Sequence, residues 1–282
     1  MIQVDAHHHV WTIARGDYGW MSPDLSIARD YGLDDLRSLL AGITATVLVQ
    51  AADSEAETAF MLDVARVSAG LVQGVVGWTN LAAPGAPDRI AELARIPLLK
   101  GLRPMLQDIE DTGWILRPAV QPALAAMARH GLRFDALLKP RHLPVIGALA
   151  QRHPDLPVVI DHAAKPDIAN GAFQPWARHM ARLAHETPWC CKVSGLVTEA
   201  RADWQIEDLR PYVDHLLSTF GPDRLMWGSD WPVVTLASNY RRWHEAAAAL
   251  LPTATHAAIF GGTAVRFYGL SLGGPQGRPP SR

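Results

Sequence analysis

Along the chain, short apolar runs rich in β-branched residues alternate with segments whose apolar positions recur every three or four residues. Eight such runs stand out, at 2–9, 44–50, 72–78, 98–103, 132–138, 158–162, 190–194 and 225–227. Helical periodicity fills 34–41, 54–69, 121–130, 143–153, 176–185 and 206–220 between them. Strand, loop and helix in repetition, with nearly continuous apolar strands, predict parallel βαβ units covered on both faces. Eight units predict an α/β fold of the closed (β/α)8 TIM barrel kind, a single domain over 1–270. A doubly wound sheet would carry a glycine-rich phosphate turn after its first strand, where this chain has His7-His8-His9.

Two stretches break the repeat. The segment 10–28 follows the first strand and carries Arg15-Gly16-Asp17-Tyr18-Gly19-Trp20, a polar, aromatic, glycine-punctuated sequence suited to a lid over the barrel mouth. The end of the chain, 271–282, is rich in glycine and proline and reads as a flexible tail.

Composition narrows the function classes. With 49% hydrophobic and 19% charged residues the chain has the material for a large core and too few charges for disorder. The net charge is −2 and the 26 basic residues are dispersed, which argues against a nucleic-acid partner. Cys190 and Cys191 are adjacent, an unfavourable geometry for a disulfide, so both are expected as thiols. With no secretory pattern at the first residues and no apolar run approaching the ~20 residues of a membrane span, the expected protein is soluble and cytoplasmic, without a membrane partner. The sequence leaves a homo-oligomer open.

The candidate chemistry lies at strand ends. Alternation puts His7 and His9 on one face of the first strand and His8 on the other. At the carboxyl end of a barrel strand that face opens on the site, where imidazoles can act on protons or hold a metal ion. His162 closes the sixth run, and Asp230 follows the eighth within Gly228-Ser229-Asp230-Trp231-Pro232. Asp230 is the expected general base, with His7, His9 and His162 as its catalytic company. Ser194 and Ser229 lack the Gly-x-Ser-x-Gly elbow of a serine nucleophile. Arg103, at the end of the fourth run, offers a planar fork to substrate oxygens. Trp20, Asp17, Lys165 and His142 complete the expected substrate-binding set, although most of the ten tryptophans belong in the core.

Taken together, Asp5-x-His7-x-His9, Asp161-His162-x-x-Lys165-Pro166 and Gly228-Ser229-Asp230-Trp231-Pro232 resemble the lactonase branch of the amidohydrolase superfamily. That branch includes L-fuconolactonases, L-rhamnonolactonases and 2-pyrone-4,6-dicarboxylate lactonases. The likeness spans about 1–270, and Gly101-Leu102-Arg103-Pro104-Met105-Leu106-Gln107-Asp108 together with 15–20 is most similar to the L-fuconolactonases. It implies hydrolysis of a small-molecule sugar lactone by water activated at Asp230. Many amidohydrolases add a carboxylated lysine on the fourth strand and a histidine on the fifth; here the fifth run reads Phe134-Asp135-Ala136-Leu137. The resemblance therefore implies one divalent ion, zinc, held among His7, His9, His162 and Asp230, or no ion and the same residues as proton donors. The expectation leans to one ion. The alternatives are a metal-dependent decarboxylase of the same superfamily and a non-catalytic sugar-acid binding protein.

Overall fold

The computed structural model describes residues 2–40 and 42–272. The part of the expected tail beyond 272 lies outside the described residues. Eight parallel strands stand in chain order around one sheet: β1 (Val4–His8), β2 (Ala45–Val49), β3 (Val72–Gly77), β4 (Leu99–Leu102), β5 (Arg133–Ala136), β6 (Val158–Ile160), β7 (Cys190–Val193) and β8 (Leu225–Trp227). Each falls within one of the eight apolar runs. The ring closes between β8 and β1, where His9 N–H donates to the Trp231 carbonyl at 2.7 Å and Asp230 N–H to the His7 carbonyl at 2.8 Å. The barrel is nearly complete, so almost no strand edge is left to pair with another chain.

Helices cover the outside: α1 (Leu33–Arg37), α2 (Glu55–Val67), α3 (Ala86–Leu93), α4 (Gln121–Arg129), α5 (Leu143–Ile146), α6 (Ala148–Arg152), α7 (Phe173–Glu186), α8 (Ile206–Phe220), α9 (Tyr240–Leu250) and α10 (Thr263–Tyr268). The periodicity of 206–220 matches α8 end for end. The segment 143–153, expected as one helix, is two short ones that meet at Gly147. A Cβ there would lie 3.3 Å from Leu183 of α7, so close packing favours glycine where helix propensity does not. α3, α9 and α10 add to the helices read from the periodicity; α9 starts at Asn239, whose side chain accepts from Arg242 N–H at 2.8 Å.

Two apolar layers hold the barrel. The larger lies between strands and helices and includes Leu48, Phe134, Ile160, Trp176 and Trp243. The smaller gathers Val4, Ala6, Val47, Val76, Val159 and Met226 with Tyr268 and Leu270 from the end of the described chain. The register between β1 and β2 shifts between Asp5 and His8. This irregularity lets Ala6 join the smaller layer while His7 enters the polar cluster of the site. Asp5, which strict alternation would group with His7, turns instead towards Ser229 N–H (2.8 Å) and Tyr240 OH (3.2 Å). Both cysteines are free thiols, and no single described helix is long and apolar enough to cross a membrane.

Candidate active site

The seam between β8 and β1 brings the expected residues together. His9 Nδ1 lies 2.8 Å from the Val49 carbonyl, which can only accept, so Nδ1 carries the proton and Nε2 turns its lone pair inwards. That Nε2 is 3.2 Å from His7 Nε2 and 3.2 Å from Asp230 Oδ1. His7 Nε2 stands 3.7 Å, and His162 Nε2 3.8 Å, from the same carboxylate oxygen. His162 is oriented by Ser194 Oγ, 2.9 Å from its Nδ1. Gly228 lets the strands approach this closely, since a Cβ there would fall 2.6 Å from His7 Cβ. His8 points the other way and meets Thr46 Oγ1 at 2.9 Å, as alternation predicts.

His162 and Asp230 come from backbone that L-residues rarely adopt. His162, Ala163, Ala164 and Lys165 all have positive φ, between 51° and 57°, forming one left-handed turn without a glycine. Asp230 has φ of 57°. Such conformations cost roughly 1–2 kcal/mol per residue, and here they aim His162, Lys165 and Asp230 into one cavity. The protonation states are complementary. Burial pushes the His162 imidazole down to about 4. Burial and then the Lys192 ammonium hold His7 well below its ordinary value. Burial would raise Asp230, but the facing histidines outweigh it and keep the carboxyl below the usual range. At neutral pH the site is an ionised carboxylate facing His7 and His162 in their neutral form.

Beneath this cluster lies a layer of buried charge. Arg103 Nη1 donates to Asp161 Oδ2 at 3.2 Å and lies 3.4 Å from His7 Nε2, while its Nη2 donates to the Gln50 carbonyl. Lys192 Nζ sits 2.6 Å from Asp135 Oδ2, 2.9 Å from Asp161 Oδ1 and 3.1 Å from His7 Nδ1. Tyr268 OH donates to Asp135 Oδ2 at 2.6 Å. Burial alone would raise Asp161, but Lys192, His7 and Arg103 reverse it and hold that carboxyl well below its usual value. Lys192 and Asp135 escaped the sequence reading. Their only signal was a charged residue between apolar neighbours, in Cys191-Lys192-Val193 and Phe134-Asp135-Ala136.

The cavity over the cluster measures about 180 Å³, and its walls include His9, Trp20, Arg103, His162, Lys165 and Asp230. This is room for a small molecule. Trp20 and Lys165 stand where the sequence placed them, and Lys165 Nζ is 3.7 Å from Glu199 Oε1. Asp17 does not line the cavity: it pairs with Arg15, because the loop turns its carboxylate back on its own guanidinium. His142 is also absent from the walls; its Nδ1 accepts from Lys139 N–H at 3.0 Å and caps a local turn. Lys100 bonds the Gly269 carbonyl at 3.3 Å and takes no part in the cluster.

The donor set suits one divalent ion. His7 Nε2, His9 Nε2 and Asp230 Oδ1 form a triangle with edges of 3.2, 3.2 and 3.7 Å. That is close to the ~3.3 Å separating ligands about 2.0 Å from a tetrahedral ion. His9, tied to Val49, is presented as a ligand of this kind requires. A second ion would find neither of the further ligands common in the superfamily: the fourth-strand Lys100 is turned to Gly269, and the fifth strand carries no histidine.

An eight-stranded barrel with paired histidines on β1, a histidine after β6 and an aspartate after β8 defines an amidohydrolase. The chain belongs to that family, whose sequence model matches residues 4–270. Within it, the L-fucono-1,5-lactonase of Burkholderia ambifaria is 44% identical over 276 residues, covering 94% of this chain and 95% of its own length. A second L-fucono-1,5-lactonase, from Burkholderia multivorans, is 37% identical over 292 residues, covering 95% of this chain and 96% of its own. A solved amidohydrolase from Burkholderia multivorans with bound zinc superposes with a TM-score of 0.90 at 36% identity, covering 96% of this chain and 100% of the other.

Proposed function

We propose that the protein hydrolyses a sugar-acid lactone, L-fucono-1,5-lactone or a closely related aldonolactone, to the open aldonic acid. The observation that carries this reading is the ionised carboxylate of Asp230, set against three imidazoles at the floor of a small cavity. The relatives at 44% and 37% identity support the sugar lactone over a decarboxylase substrate.

A lactone is a cyclic ester, reactive enough for direct attack by water. Asp230 accepts a proton as the water oxygen bonds to the carbonyl carbon. The charge gathering on the carbonyl oxygen faces the Arg103 guanidinium, a cation held in place before the reaction begins. The bond from that carbon to the ring oxygen then breaks, and Asp230 returns the proton to the departing oxygen as the ring opens. Lys165 and Trp20, on the cavity wall, face the polyol. A zinc ion, held by His7, His9 and Asp230 with His162 alongside, would supply Lewis acidity to the carbonyl; elemental analysis of the purified protein tests its presence.

The deciding experiment is a lactone panel followed by acid release at constant pH, with L-fuconolactone, L-galactonolactone and L-rhamnonolactone beside a dicarboxylate pyrone. A sugar lactone is expected to be turned over fastest. Preference for the pyrone, or carbon dioxide as the product of an aromatic acid, overturns the reading.

A further inference from the structure

The loop after β1 is fastened by a residue outside the catalytic cluster. Glu57, in the first turn of α2, is fully buried. It stands three residues after Ser54, whose hydroxyl caps α2 by accepting from Glu57 N–H at 3.0 Å. At that spacing a glutamate commonly turns back to close a capping box. Here its carboxylate reaches away from the helix: Oε2 accepts from Tyr18 OH at 2.9 Å and lies 3.4 Å from Arg15 Nη2. Oε1 accepts from Ala51 N–H at 3.3 Å. The Ala51 carbonyl in turn accepts from Trp20 Nε1 at 2.6 Å. Arg15 also lies over the Phe60 ring of α2, 4.4 Å from its centroid.

One buried carboxylate therefore grips Tyr18 and the N–H of Ala51, and the carbonyl of the same residue grips Trp20, which with Ala51 lines the cavity. A buried carboxylate is costly to keep unless its oxygens are bonded, so its position reflects the loop it binds as well as the helix it starts. We propose that Glu57 is a positioning residue for substrate: by docking 15–20 against β2 and α2 it holds the Trp20 indole as a wall against the face of the bound ring. It does not line the cavity, so it acts on KM and leaves the chemical step alone.

The test compares Glu57→Ala and Tyr18→Phe with Ser54→Ala, which removes the cap of the same helix without touching the loop. Two readings are taken: amide hydrogen exchange of 11–20 by mass spectrometry, and kcat and KM on the aldonolactone the unaltered enzyme turns over best. Glu57→Ala is expected to raise KM about tenfold with kcat within about twofold, and to speed exchange across 11–20 at least about tenfold. Tyr18→Phe shifts both readings in the same direction by less, and supplies the test if Glu57→Ala does not fold. Ser54→Ala lowers the melting temperature and leaves KM and loop exchange unchanged. Unaltered KM and exchange in the Glu57 and Tyr18 variants overturn the proposal, as does Ser54→Ala reproducing both effects. The KM arm rests on the lactone reading, whereas the exchange arm needs no substrate, so failure of one is distinguishable from failure of the other.

Discussion

At the scale of single residues, chemistry is concentrated in Asp230 and the charge beneath it. Asp230→Asn keeps the shape and removes the proton acceptor. Lactone turnover is expected to fall by at least about a thousandfold with an unchanged circular dichroism spectrum. Lys192→Met acts on stability: it strips the cation from between Asp135 and Asp161, both fully buried. Breaking a buried ion pair from one side costs about 3–5 kcal/mol, and a urea titration should show a loss of that order. His7, His9, His162 and Asp230 were legible because strand period and strand ends state both direction and place. Lys192 was not, since a lysine in a strand ordinarily turns its ammonium to water, and only the two carboxylates, Asp135 in β5 and Asp161 just after β6, make its burial tolerable. Asp17 misled for the complementary reason: a polar residue in a loop declares exposure, not aim, and its own Arg15 captured it.

Among elements, the strands were legible and the strained turns were not. The eight apolar runs became eight strands because a parallel strand covered on both faces has to be apolar throughout. The left-handed turn at 162–165 left no trace, since positive φ is signalled by glycine and Asp161-His162-Ala163-Ala164-Lys165-Pro166 has none. Its strain has an evident use, the aim of His162 and Lys165. Ala69 offers a contrast: it too has positive φ, 55°, but is exposed just beyond α2 and far in sequence from any site residue. Glycine suits that position after a helix end. Ala69→Gly is expected to stabilise by about 1 kcal/mol and raise the melting temperature by roughly 2 °C, with kcat unchanged, as calorimetry beside a lactone assay would show.

For the whole molecule, buried histidines set the response to acid. Burial holds His7 well below its ordinary value, His8 at about 3 and His162 at about 4. As pH falls through ~6.5 the unfolded chain takes up protons that these folded imidazoles refuse, so the unfolded state gains. Asp5 works the other way: raised to about 6 by burial, its carboxylate burdens the fold above that pH and is relieved below it. Between pH 8 and 6 the histidines dominate, and the melting temperature should drop across that window; a flat or rising profile would contradict the burial of these rings.

The seam where β8 meets β1 carries a consequence for the order of biosynthesis. His9 and Asp230, in contact across it, are 221 positions apart in the chain. The ribosome delivers the imidazoles of β1 before any other strand of the barrel and the carboxylate only after seven strands have followed. The nascent polypeptide is thus catalytically silent until β8 has been made and Asp230 meets the histidines of β1.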